Sequence, residues 1–191
     1  MNSILNNIYE KYNQSTGVSI DSRNLKKGNL FFGILGNNFD GNNFIEESLS
    51  NGASFAVTSN KKFKSKEKCI YVENTLECLQ NLAAFHRSKL QIPVVGVTGS
   101  NGKTTTKELI DCVLSSNFKT ISTNGNYNNH IGVPLSLLQI KDDTEYSVIE
   151  LGANNFGEID FLTKIAMPDY GYITNFGKAH LEGFIDIKGV I

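Results

Sequence analysis

Tryptophan is absent from the 191 residues, and methionine, cysteine and proline occur only two, three and three times. Cys69, Cys78 and Cys112 are odd in number and never spaced as C-x-x-C. That excludes a disulfide framework and a paired-thiol zinc site, and it points to a reducing compartment. No apolar run approaches the roughly 18 residues that a membrane-spanning helix needs. Met1–Gln14 lacks the apolar core of a signal peptide. The cytoplasm is therefore the expected location, with no membrane span.

Charge of one sign is missing too. Eighteen basic residues face nineteen acidic ones, for a net charge of −1. Without a basic field, nucleic acid is not an expected partner, and any anion has to be held by local geometry. Arginine is scarce: Arg23 and Arg87 stand alone among lysines, while asparagine is abundant. This bias reads as codon composition, and it singles out the two positions where lysine was not used. With 40% hydrophobic and 19% charged residues, the chain is an ordinary globular one, neither disordered nor collagen-like. Its length suits one domain or one and a half. That is short for an enzyme holding a nucleotide and two further substrates.

What is present is an alternation of strand-like and helix-like segments, the signature of an α/β fold. Strands are expected at 30–35, 54–58, 69–72, 94–98, 118–122, 146–151 and 170–174. Helices are expected at 44–51, 75–90, 103–114 and 158–166, the second carrying Leu76, Leu79, Leu82, Ala83 and Phe85 at helical spacing. Lys61–Lys68 reads as a solvated loop. Pro93 marks a restart, which places a domain boundary near Gln91–Ile92 and gives units 1–92 and 93–191.

The strongest local signal is Thr98-Gly99-Ser100-Asn101-Gly102-Lys103-Thr104-Thr105, between an apolar strand and a helix. Glycines let successive amides converge on phosphate oxygens, and the helix start adds its positive end. Lys103 would bridge the β- and γ-phosphates, and the Thr104 hydroxyl would ligate Mg²⁺. The loop is shorter than the common pattern, whose first glycine would fall at Val97. Phosphate binding alone does not name a reaction.

Two residues could complete such a site. Glu150 closes a strand, where ligands of open α/β sheets gather, and a carboxylate there suits Mg²⁺. His180 follows the last strand, within Asn175–Gly183. Such a histidine is commonly structural, but on the same rim it becomes a candidate ligand of a second metal. His86 sits on the amphipathic helix and reads as structural. Gly125–Pro134, with Asn128, Asn129 and His130, suggests polar recognition of a sugar or peptide, or else a plain loop.

Four stretches carry a resemblance: Gly96–Lys107 (GVTGSNGKTTTK), Gly125–Leu138 (GNYNNHIGVPLSLL), Glu150–Ile159 (ELGANNFGEI) and Ile173–Phe184 (ITNFGKAHLEGF). Together they resemble the Mur ligases of peptidoglycan synthesis. The second and third are most similar to the branch that adds D-alanyl-D-alanine. The N-terminal half looks like that branch's uridine-binding domain through Asp21-Ser22-Arg23 and Gly28–Phe44. The resemblance implies a small UDP-sugar-binding domain at 1–92. It also implies that 93–191 is the first part of a P-loop-type parallel-sheet ATPase domain.

The implied reaction is ATP-dependent amide formation through an acyl phosphate, joining D-alanyl-D-alanine to UDP-N-acetylmuramoyl-tripeptide. The implied nucleotide contacts are Gly99, Ser100, Asn101, Gly102, Lys103, Thr104 and Thr105. Lys103, Glu150 and His180 would be catalytic, and Thr104, Glu150 and His180 would hold Mg²⁺. Ser22 and Arg23 would lie at the uridine diphosphate, while Asn128, Asn129 and Asn154 would face the muramoyl peptide. Family members continue to a carbamylated lysine, the rest of the sheet and a further domain. The full-length parent is accordingly expected to be an active monomer, and the 191 residues alone to be inactive. Two other readings stay open: a binding module without chemistry, and a superfamily member such as a folylpolyglutamate synthase.

Overall fold

The computed structural model describes residues 2–36 and 39–177. They pack as two compact units, 1–82 and 83–191, with the division inside a helix. The first unit contains α1 (Asn2–Asn13), β1 (Val18–Ser19), β2 (Leu30–Phe32), α2 (Ile45–Ser50), β3 (Phe55–Thr58), β4 (Cys69–Tyr71) and the start of α3 (Thr75–Lys89). Its strands are all parallel, in the order β1-β2-β3-β4.

A parallel strand covered on both faces needs continuous apolar sequence, and β2 is Leu-Phe-Phe, buried throughout. Phe31 packs with Ile45, Ala53, Ala56, Phe63 and Cys69. Phe63 also explains the lysine-rich stretch. A single turn, Lys61–Phe63, buries the ring to 1% exposure while the neighbouring lysines stay in water. The Lys62 and Lys66 ammonium groups lie over that ring at 4.5 and 5.2 Å. Burial pushes the Cys69 thiol up and the Cys78 thiol to about 12, so neither is a ready nucleophile.

The second unit contains β5 (Val94–Thr98), α4 (Lys103–Ser115), β6 (Thr120–Ser122), α5 (Gly132–Leu137), β7 (Tyr146–Glu150), α6 (Glu158–Ala166) and β8 (Tyr170–Ile173). These strands are again parallel, in the order β6-β7-β5-β8. From β5 the chain runs outward to β6, returns to β7 in between, and then crosses to the other side of β5. Strand order therefore reverses at β5, and the carboxyl ends of all four strands lie on one rim. α4 packs on β7 and β6, while α5 and α6 pack on each other and against β7 and β5.

β5 and α6 have the bounds expected from sequence, and most other strands stop a little short. α1 and β1 were not expected. α1 contains four asparagines, which are poor helix formers, but it buries Ile8 and Tyr12 one turn apart. Tertiary packing outweighs propensity there. α5 opens where the Asn129 side-chain oxygen accepts from the Ile131 and Gly132 amides, and all six of its residues are buried.

Arg87 ties the second unit together. Its buried guanidinium donates to the carbonyls of Ala166 (3.1 Å), Leu90 (3.2 Å) and Met167 (2.9 Å) and to Asp169 Oδ2 (2.8 Å). The same Asp169 oxygen accepts from the Val94 amide at 2.8 Å. One fork thus joins the end of α3, the start of β5 and the turn between α6 and β8. Nearby, His86 Nε2 donates to the Ile140 carbonyl at 3.1 Å, and burial lowers the imidazole's proton affinity. The second arginine of this lysine-rich chain is thereby explained, because an ammonium cannot serve several acceptors in one plane. Arg87→Ala is expected to lower the unfolding free energy by about 3 kcal/mol in urea titrations. Arg87→Lys should recover little of it, and a lysine variant as stable as the native chain would refute the clamp.

Candidate functional site

β5 ends at Thr98, and the chain turns through 99–102 into α4. Gly99 is indispensable to the turn: its φ is +130°, and a Cβ there would meet Thr174 Oγ1 at 2.1 Å. Gly102, at φ +77°, starts the helix from the left-handed region. The Lys103 ammonium folds back over the loop and donates to the Gly99 carbonyl (2.7 Å) and the Ser100 carbonyl (3.4 Å). Thr104 and Thr105 lie exposed on the first turn of α4. The first amides of a helix lack intrahelical acceptors and carry the positive end of its dipole. The start of α4 thus places the positive end of a helix beside the Lys103 ammonium, an arrangement that suits an anion. Lys107, one turn further along, is buried and paired with the Glu108 carboxylate.

The loop is also bound to the segment that follows β8. The Ser100 amide donates to the Asn175 carbonyl at 3.0 Å, and the Asn101 amide donates to Asn175 Oδ1 at 3.2 Å. Asn175 Nδ2 and the Thr174 hydroxyl both donate to the Asn101 carbonyl, at 3.1 and 2.6 Å. Ser100 Oγ donates to the Gly177 carbonyl and accepts from the Gly177 amide.

Glu150 closes β7 and pairs in register with Val97 of β5, next to the start of the loop. It is buried to 1% exposure. Its amide donates to Thr123 Oγ1 at 2.9 Å, and its Oε1 accepts from Asn128 Nδ2 at 2.8 Å. Its Oε2 is buried and has no hydrogen-bond partner among the described residues. A carboxylate oxygen in that state is costly unless a cation or donor meets it. The orphaned oxygen beside the glycine-rich loop thus fits a hard divalent cation such as Mg²⁺.

Other expected residues occupy varied places. Asn128 orients Glu150, and its carbonyl accepts from the Gly152 amide at 2.8 Å. Asn129 caps α5. Asn154 is exposed after β7, its amide donating to Glu158 Oε2 at 2.6 Å. That bond, with those from Asn155, holds the Glu158 carboxyl below its ordinary range. His180 lies outside the described residues.

In the first unit, Asp21 caps the single turn Ser22–Asn24. Its carboxylate takes the Arg23 Nε at 2.9 Å and Nη2 at 2.9 Å, the Arg23 amide at 3.0 Å, and Asn24 Nδ2 at 3.1 Å. The Arg23 guanidinium is fixed by this fork yet remains 85% exposed. Sequence reasoning assigned no role to Asp21, Thr123, Thr174 or Asn175. For Asp21, the pattern of an Asp two residues before a turn amide was a usable signal. For the others, only the strand order could reveal the contact.

Comparison with known proteins gives consistent findings. Residues 14–87 match the family model described as Mur ligase family, catalytic domain, and residues 97–191 match the Mur ligase middle domain. The chain is 40% identical over 176 residues to the UDP-N-acetylmuramoyl-tripeptide–D-alanyl-D-alanine ligase of Bacillus subtilis, covering 91% of this chain and 38% of that relative. Among solved structures, MurF from Acinetobacter baumannii superposes with a TM-score of 0.83 at 38% identity, over 91% of this chain and 38% of that one. MurF ligase from Thermotoga maritima in complex with ADP gives 0.82 at 34% identity, over 100% and 42%. The chain therefore spans about two fifths of the length of these relatives.

The Arg23 fork and backbone bond hold the Asp21 carboxyl at about 2. A depressed carboxylate contributes stability in full above its unfolded value, near pH 4, and loses it as pH falls toward 2. An NMR titration of Asp21 should show a midpoint near 2. A midpoint at the ordinary aspartate value would remove the fork.

Proposed function

The chain belongs to the Mur ligase family, and we propose that it is the UDP-sugar-binding and nucleotide-binding portion of a ligase that adds D-alanyl-D-alanine to UDP-N-acetylmuramoyl-tripeptide. In this reading residues 1–92 hold the uridine nucleotide, which keeps α3 whole, and 93–191 begin the ATP-binding domain. The observation that carries the reading is the rim of the second sheet, where a glycine-rich phosphate loop lies beside a buried carboxylate with an unpaired oxygen. The 40% identity to a D-alanyl-D-alanine-adding ligase supports the choice of substrates.

The chemistry asks for charge control more than for a protein nucleophile. A substrate carboxylate must approach a phosphoryl group, and both are anionic. Lys103 places a cation over the loop, and the amides at the start of α4 add partial positive charge. Thr104 and Glu150 would hold Mg²⁺, which when bound offsets phosphate charge. Asn128 keeps Glu150 Oε1 occupied and so turns Oε2 to the task. His180 is proposed as a further metal ligand. Asn128, Asn129 and Asn154 would line the peptide side, and Ser22 and Arg23 the uridine diphosphate. Arg23 is already aimed by Asp21, so gripping a phosphate costs little side-chain ordering.

Two measurements test the proposal. Lys103→Ala should weaken Mg·ATP binding by tenfold or more with melting unchanged, and equal affinity would remove the nucleotide reading. In titration calorimetry, UDP-N-acetylmuramoyl-tripeptide should bind the native chain. Tight binding of a folate with none of the UDP-sugar would move the chain to another branch of the superfamily.

A further inference from the structure

We propose that Asn175 is a positioning residue for the phosphate loop, its side-chain amide standing in for the next residue of a paired strand. The inference rests on the reading of the loop as a nucleotide phosphate site. The ladder between β5 and β8 reaches the pair Thr98 and Ile173. It continues through Thr174 N–H to the Thr98 carbonyl at 2.9 Å and Ser100 N–H to the Asn175 carbonyl at 3.0 Å. The left-handed turn at Gly99 takes the chain out of the regular ladder before Ser100, and among the described residues main-chain bonding between the two segments ends with that Ser100 bond. The Asn175 carboxamide bridges the gap in both directions. Its oxygen accepts from Asn101 N–H at 3.2 Å, and its nitrogen donates to the Asn101 carbonyl at 3.1 Å. The Thr174 hydroxyl reinforces the same carbonyl at 2.6 Å.

This arrangement decides which loop groups face a ligand. The Ser100 and Asn101 amides are both engaged by Asn175, so phosphate contacts fall to the amides at the start of α4 and to Lys103. The Asn101 carbonyl is equally held, which keeps a negative dipole turned away from the anion. A carboxamide offers its acceptor and its donor on two separate atoms of one planar group, which matches a backbone amide and carbonyl of the same residue. Aspartate has nearly the same shape, but it lacks the donor and would set a charge against the Asn101 carbonyl.

The test uses the 191-residue chain, with Mg·ATP binding by calorimetry, UDP binding as the internal control, and amide hydrogen exchange at Ser100 and Asn101. In the native chain both amides should be protected. Asn175→Ala should accelerate exchange at Asn101 and weaken ATP binding about tenfold, while melting and UDP affinity stay unchanged. Asn175→Asp should weaken ATP binding further, and it preserves the side-chain volume if the alanine variant melts early. A merely structural role would lower melting and both affinities together, and that result would overturn the proposal. So would native ATP affinity in either variant, or an unprotected Asn101 amide in the native chain. Failure of the native chain to bind ATP while both amides are protected would overturn the nucleotide reading itself, and the inference with it.

Discussion

β5 is hydrogen-bonded in parallel to β7 along one edge and to β8 along the other, and every feature of the candidate site hangs from that pairing. Parallel strands end on the same side. The register therefore delivers the Gly99–Thr105 loop, the Glu150 carboxylate and the Thr174–Gly177 segment to a single rim. Antiparallel pairing would have sent one of the three to the far edge. Val94, Val97, Val148 and Ile149 bury the strands that fix this register. Val94 and Val97, like Val148 and Ile149, point to opposite faces of the sheet, so packing on both sides holds the carboxylate beside the loop.

Polar groups around the rim work in pairs, each fixing another. Thr123 holds the Glu150 backbone while Asn128 holds its carboxylate. Asn175 and Thr174 hold Asn101, and Asp21 holds Arg23 in the other unit. Short side chains lose little rotamer freedom when fixed. The abundance of asparagine thus acquires a structural meaning at these points, whatever its compositional origin. An amide presents a donor and an acceptor on two separate atoms of one plane, whereas a lysine ammonium has no acceptor at all.

Much of this was legible in the sequence because it depends on near neighbours. The run Val94–Thr98, the glycines after it and the helix-forming residues from Lys103 define a strand, turn and helix locally. Glu150 was recognisable as an acid closing an apolar strand. What the sequence concealed depends on contacts between distant positions. Asn175 lies 74 residues from Asn101, and Arg87 lies 82 from Asp169. Neither has a periodicity or motif that points to its partner. Phe63 was hidden differently, since one aromatic among five lysines looks like surface until the turn carries it inward. α1 was hidden by its asparagines, whose low propensity is overcome by burial of Ile8 and Tyr12.

β8 contrasts with the strand it pairs with. All four of its residues are exposed, among them Tyr170, Tyr172 and Ile173 at 65, 51 and 51%. Among the described residues it has a neighbour along one edge only. An aromatic strand with a free edge is a template for any other extended chain. The Thr174–Gly177 segment that hydrogen-bonds the glycine-rich loop starts where this strand ends, so an extended chain paired along β8 would come to lie beside the loop.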